Sequence, residues 1–243
     1  MYNVIENEIF HVHTGRCKHA GDLPDTDFIE KAIELGASRI VFTDHSPFPG
    51  NPFGNRMDYE ELSEYLSTMQ ELKIRYQHRI EILCGLEVEY LPGFDGYIHE
   101  LKTMPGMDLL ILGQHFFEHR PRKYSFSDED KSMEYEGLAA AIMLGIESGC
   151  FDVIAHPDRI FRRRKQFDKE ERTVAGMLID TVNRCNTDMK LEKNLSSMRR
   201  KYQYRPEFWD MIPSSLSVIY GYDAHSMKDM EKGWEYTQSL KAL

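Results

Sequence analysis

The chain has 243 residues, 41% hydrophobic and 29% charged, a globular composition long enough to bury a substantial core and unlike that of a disordered or fibrous polypeptide. No apolar run reaches the roughly 20 residues that a bilayer span needs, and the opening MYNVIENEIFHVH lacks the basic and apolar regions of a secretory signal, so neither a membrane protein nor an exported one is expected. Four dispersed cysteines without a CxxC pair fit reduced thiols and a cytoplasmic address, and a net charge of −10 works against nucleic-acid binding.

Taken in chain order, the first β-rich run is 9–12, followed by a helical stripe of Phe28, Ile29, Ala32 and Ile33 that Gly36 closes. A second strand at 39–43 runs into the Pro/Gly/Asn-rich loop 47–55. The clearest helix spans 58–77: Leu62, Tyr65, Leu66, Met69, Leu72 and Tyr76 share one face, and Asp58 with Glu61 makes a capping-box-like start. Strands at 80–88 and 109–114 follow, then a polar loop at 118–131 and a helix at 132–147 stopped by Gly149. The remaining elements are a strand at 151–155, a helix at 168–185, strands at 190–195 and 216–220, and a helix from Ser226 to the C-terminus. Seven strands alternating with helices, without linker or internal repeat, predict a single α/β domain over 1–243, most economically a parallel sheet closed into a barrel. The loops after its second and fourth strands then lie on the rim where barrel active sites are built.

The chemistry lies in the histidines. His11, His13, His45, His115, His156 and His225 each fall at or just beyond the C-terminal end of an expected strand. Strand parity turns His11 and His13 of FHVH to one side, and likewise Asp223 and His225 of GYDAH, so each pair suits one metal ion. Glu87 in CGLEVEY offers an oxygen able to bridge two cations, and His19 follows in the first loop. A single HxH is as readily two solvated imidazoles on a sheet edge, and the isolated His78, His99 and His119 read as surface or structural residues. Nine nitrogen and oxygen ligands at the ends of six strands are different, because without metal they would repel one another or lose solvation.

In this order HVHTGRCKHA, FTDHSPFP, GLEVEY, ILGQHF, AHPDRIF and DAH resemble the polymerase and histidinol phosphatase (PHP) family, in particular its histidinol-phosphatase branch, over almost the whole chain. The resemblance implies a distorted (β/α)7 barrel carrying three divalent transition-metal ions, Zn, Fe or Mn. By position it implies a first metal on His11, His13, Glu87 and Asp223, a second on Glu87, His115 and His156, and a third on His19, His45 and His225, with Glu87, Asp223 and His225 also taken as catalytic. The implied activity is that of a phosphomonoesterase using a metal-bridging hydroxide, with L-histidinol phosphate the leading substrate. The alternatives are another phosphoester: a sugar phosphate, a phosphotyrosine protein or a nucleic-acid 3′ end.

Such a cluster would make an anion site inside an acidic protein. Arg159, directly after HPD, and Arg16, inside the first loop, are the expected phosphate partners; Arg199 and Arg200 are further candidates, and Glu118 is a candidate for a substrate ammonium group. The basic run 162–165 reads as a solvated face. Cys17, between His13 and His19, either coordinates metal or packs behind the site, packing being preferred. Two places depart from the family pattern: Lys193 in KLEKNL stands where an apolar residue is expected, and Tyr204-Arg205-Pro206 is altered relative to a shorter Tyr-Pro. Glu192 and Asn194 share a strand face and either line the cavity or hydrogen-bond a neighbouring strand.

Overall fold

The computed structural model describes residues 2–185, 188–200 and 203–241. Seven strands, β1 (Glu8–Val12), β2 (Arg39–His45), β3 (Glu81–Val88), β4 (Leu109–Leu112), β7 (Val153–Ala155), β8 (Lys190–Asn194) and β9 (Ser217–Gly221), form one sheet in the order β1-β2-β3-β4-β7-β8-β9. β1 with β2, β2 with β3, β4 with β7 and β7 with β8 pair in parallel. The chain leaving β9 returns to β1 through Tyr222 N to Phe10 O (2.8 Å), Ala224 N to His11 O (3.1 Å) and His13 N to Ala224 O (2.8 Å), so the sheet is a nearly closed α/β barrel of seven parallel strands.

The chain divides into two compact units. The first comprises Met1–Glu87, Met104–Leu110 and Tyr220–Leu243. It holds α1 (Asp25–Leu35), α2 (Leu62–Tyr76) and α8 (Met227–Lys241); the last two residues of the helix expected at the C-terminus lie outside the described residues. Ile9, Phe10, Ile40, Val41, Phe42 and Leu86 are fully buried, because the strands of a parallel sheet have both faces covered and read as continuous apolar runs. Register is pinned at the strand starts, where Glu8, Arg39 and Glu81 stand opposite one another: Arg39 lies 2.8 Å from Glu81 Oε2 and 3.3 Å from Glu8 Oε2. Asp58 and Glu61 close the expected capping box, with a 3-10 turn at Tyr59–Glu61 leading into α2. Gly36 ends α1 at φ 88°, a left-handed conformation that glycine adopts at no steric cost.

The second unit comprises Val88–Thr103 and Ile111–Ile219. It holds α3 (Asp95–Thr103), α4 (Glu134–Ser148), α5 (Lys169–Cys185) and the short α6 (Leu195–Met198) and α7 (Pro206–Trp209). The stretch expected as a polar loop at 118–131 contains a small antiparallel hairpin, β5 (Glu118–Arg120) with β6 (Lys123–Tyr124). β4 stops at Leu112 rather than at 114, because the Gln114 side chain, instead of pairing as strand, accepts from Tyr90 N (2.9 Å) and donates to Tyr90 O (3.2 Å) and Phe116 O (2.5 Å). Among the described residues no helix is long and apolar enough to cross a membrane.

Candidate metal centre

In the first unit six imidazole and carboxylate groups converge from β1, β2, β3 and the segment after β9, joined by His19 from the first loop. His11 and Asp223 sit in left-handed backbone conformations, φ 71° and φ 48°. The β1–β2 register shifts between Phe10 and Val12, so the backbone bulges at His11 and aims it beside His13. The Nε2 atoms of His11 and His13 are 2.9 Å apart; Glu87 Oε2 lies 3.5 Å from each, and Asp223 Oδ1 lies 3.4 Å from His13 Nε2. His45 Nδ1 is 3.1 Å from the same Glu87 oxygen, which therefore faces three imidazoles. Burial pushes the Asp223 carboxyl up, but the His13 side chain against it and the nearby His11 and His225 outweigh that and hold it well below the usual carboxylate range.

A second grouping in this unit tests whether a cation belongs here. His19 Nδ1 lies 2.6 Å from the Cys17 carbonyl and His225 Nδ1 lies 3.1 Å from the Asp223 carbonyl. A carbonyl only accepts, so both rings carry a hydrogen on Nδ1, and in the neutral ring Nε2 is then the lone pair. Those two Nε2 atoms face one another at 2.9 Å. Burial, with the neighbouring His13, pushes His225 down to about 4, so that ring is neutral near neutral pH. Two bare imidazole nitrogens at that spacing are satisfied by a divalent metal ion between them, with His45 as the third member of the group.

Behind these side chains Asp44, fully buried, accepts from Thr14 N (2.7 Å), Thr14 Oγ1 (2.9 Å) and Cys17 Sγ (3.0 Å). Burial and Asp44 push the Cys17 thiol well above its ordinary range. Arg16, expected at the phosphate, is instead forked onto Asp25 at 2.7 and 2.8 Å, donates to Thr14 Oγ1 at 3.1 Å and lies over the Tyr65 ring. Its guanidinium braces the first loop.

In the second unit His115 and His156 have ring centroids 5.2 Å apart. His156 is buried and follows β7 directly, at φ 36°. His115 Nδ1 lies 3.0 Å from Glu89 Oε1, which accepts the Nδ1 hydrogen, the usual arrangement of a carboxylate behind a metal-ligating histidine. Sequence reasoning missed Glu89, although GLEVEY placed it two residues beyond Glu87, on the same side by strand parity. Arg159 has a buried Nε with no hydrogen-bond partner among the described residues, as has Arg205.

The other expected residues of this unit are used locally. Glu118 accepts from Gly93 N (3.0 Å) and Arg122 N (2.8 Å), so its carboxylate ties the hairpin instead of being held open for an ammonium group. Arg199 and Arg200 are exposed just beyond α6. The run 162–165 is not simply solvated: Arg162 and Arg163 approach Glu134, and Arg164 pairs with Glu170 and Glu171. Asn194 donates to Glu192 Oε1 (3.1 Å) and its Oδ1 caps α6 through Ser197 N (2.8 Å). Lys193 is held over the Trp209 ring, and Arg205 is buried, donating from its backbone to Asp158 (2.8 Å) and from its side chain to Phe161 O (3.0 Å).

Residues 10–190 match the PHP domain. The chain is 29% identical over 245 residues to a protein of Deinococcus radiodurans named "Probable histidinol-phosphatase", covering 96% of this chain and 91% of that one. It is 24% identical to the histidinol-phosphatase of Bacillus subtilis, covering 93% and 96%. The crystal structure of histidinol phosphate phosphatase from Lactococcus lactis, complexed with Zn, L-histidinol and phosphate, shares the fold with a TM-score of 0.71 at 17% identity, covering 96% of this chain and 92% of that one.

Proposed function

The chain belongs to the PHP domain family, and from that premise we propose that it is a metal-dependent phosphomonoesterase that hydrolyses L-histidinol phosphate to L-histidinol and phosphate. The observation that carries the reading is the pair of lone-pair nitrogens of His19 and His225 at 2.9 Å, beside a carboxylate facing three imidazoles. Near-complete coverage of relatives named for this activity supports the substrate.

The proposed ligands are His11, His13, His19, His45, Glu87, Asp223 and His225 in the first unit and His115 and His156 in the second, sufficient for three divalent ions of the Zn, Fe or Mn kind. When bound, such ions supply positive charge for a phosphate group and make water acidic enough to serve as nucleophile near neutral pH. This chain's part is to hold the ligating atoms bare and fixed. The carbonyls of Cys17 and Asp223 and the carboxylate of Glu89 each take an Nδ1 hydrogen, and the Nε2 lone pairs of His19, His225 and His115 are left for ligation. Arg159 is the proposed phosphate residue, since an orphaned buried guanidinium nitrogen gains most from an anionic oxygen. Four thiols without a disulfide fit a cytoplasmic enzyme.

The test is phosphate release by protein purified without chelator and by chelated protein reloaded with Mn, Zn or Fe, on a panel of histidinol phosphate, sugar phosphates, phosphotyrosine and an aryl phosphate. Metal-dependent turnover with the highest kcat/KM on histidinol phosphate is expected. Clear activity on another ester with none on histidinol phosphate would move the assignment to that substrate.

A further inference from the structure

Cys17 ends the first-loop turn Gly15–Cys17 with its side chain fully buried, and the reaction proposed above makes no use of it. Three polar atoms surround its sulfur: Asp44 Oδ1 at 3.0 Å, the His45 backbone N at 3.2 Å and His13 Nδ1 at 3.2 Å. A thiol has one hydrogen to give. Asp44 Oδ1 only accepts and already takes Thr14 N at 2.7 Å, so the S–H points to that carboxylate; the His45 N–H donates to sulfur. With the single hydrogen spent, the remaining contact is made only if His13 Nδ1–H donates to the sulfur. The hydrogen of His13 is then on Nδ1, and Nε2 is a lone pair directed at His11 Nε2, Glu87 and Asp223.

We infer that Cys17 is a positioning residue: its thiol, oriented by Asp44, accepts the Nδ1 hydrogen of His13, fixes that ring's tautomer and plane, and so sets the affinity of the His11–His13–Asp223 group for its metal ion. The role matches that of the Glu89 carboxylate behind His115, with a neutral sulfur in place of a charged oxygen. It rests on the reading of His11, His13 and Asp223 as metal ligands. Coordination by the sulfur itself would require it to give up the Asp44 and His45 contacts that now account for its hydrogen and one of its lone pairs.

The experiment measures Zn and Co affinity by chelator competition for the full chain, wild type, Cys17→Ser and Cys17→Ala. Cys17→Ala should lose roughly 10–100-fold in affinity, and Cys17→Ser, which keeps one donor and an acceptor, should lose much less. The Co-loaded wild type should show no near-ultraviolet thiolate-to-cobalt charge-transfer band. In the metal-free wild type, which depends on no variant folding, nitrogen-15 spectra should find the His13 hydrogen on Nδ1. Unchanged affinity in Cys17→Ala, a thiolate band that Cys17→Ser abolishes, or a hydrogen found on Nε2 would each overturn the inference and leave the metal centre standing. A wild type that binds neither ion would remove both.

Discussion

A ring nitrogen can serve as a ligand when the hydrogen bond at the other nitrogen leaves its lone pair available, and in this chain partners of two kinds do this for three of the candidate histidines. Backbone carbonyls do it for His19 and His225, and a carboxylate does it for His115. The same residue-level accounting separates the two arginines expected at the phosphate. Every Arg16 contact is internal, a bidentate pair with Asp25 whose side chain is 10% exposed, so Arg16→Ala should lower stability by about 1–2 kcal/mol in urea unfolding and act on turnover only through the loop it braces. Arg159 holds a buried nitrogen without a partner. Arg159→Ala should reduce kcat/KM by roughly 10–150-fold on every phosphomonoester that the enzyme accepts, since a charge-assisted hydrogen bond to phosphate is worth about 1.5–3 kcal/mol, with metal content unchanged. Equal activity of Arg159→Ala and wild type would remove Arg159 from the phosphate site.

At the scale of elements, α5 shows how a helix start can couple to acidity. Glu171 accepts from Asp168 N (3.2 Å) and pairs with Arg164, while Asp168 accepts from Glu170 N (3.3 Å). Burial alone would push Glu171 up, but Arg164 and the Asp168 hydrogen bonds bring it down to about 2. A depressed carboxyl stabilises the fold at pH values above its unfolded value near 4.3 and loses that contribution as pH falls through about 2. Unfolding free energy should therefore fall by about 1–3 kcal/mol over that window, and Glu171→Gln should flatten the slope there while lowering stability at neutral pH. An identical acid profile in the variant would remove the pair from the account. Elements whose signals are local were legible in the sequence: the Asp58–Glu61 capping box and the stop of α4 at Gly149, φ 71°, are where pattern and turn chemistry placed them. α3 was not, because it has only nine residues, with Gly96 in its first turn, and gives a weak helical pattern. The histidines could be placed at strand ends by parity, yet the bulge at His11 and the partners Glu89 and Asp44 could not be assigned. What decides those is which backbone or carboxylate comes to lie behind a ring, and no spacing rule records that.

For the molecule as a whole, a net charge of −10 is an obstacle to binding a phosphate ester, and the basic run 162–165 does not relieve it because Glu134, Glu170 and Glu171 engage its arginines. Cations held by the candidate ligands would supply the charge, and they would also tie together segments far apart in sequence: His11 and His13 at one end, His45 and Glu87 further on, Asp223 and His225 near the other. Ligands that bind the folded state alone stabilise it by RT ln(1 + [L]/Kd), about 2.7 kcal/mol at a free concentration of 100 Kd. Chelation should therefore lower the Tm by several degrees, and Mn or Zn should restore it together with activity. The loss should be local before it is global. Without cations, the side chains of Glu87 and Asp223 and the histidines they share lose the ions that would hold them together, in the region where the chain leaving β9 is bonded to β1 through Tyr222 N, Ala224 N and His13 N. Amide exchange at His13 and Ala224 should rise on chelation, whereas amides beside the Glu8–Arg39–Glu81 ladder at the opposite ends of the same strands should keep their protection. A Tm and an exchange pattern indifferent to chelator would mean that the converging imidazoles hold no ion of consequence to the fold.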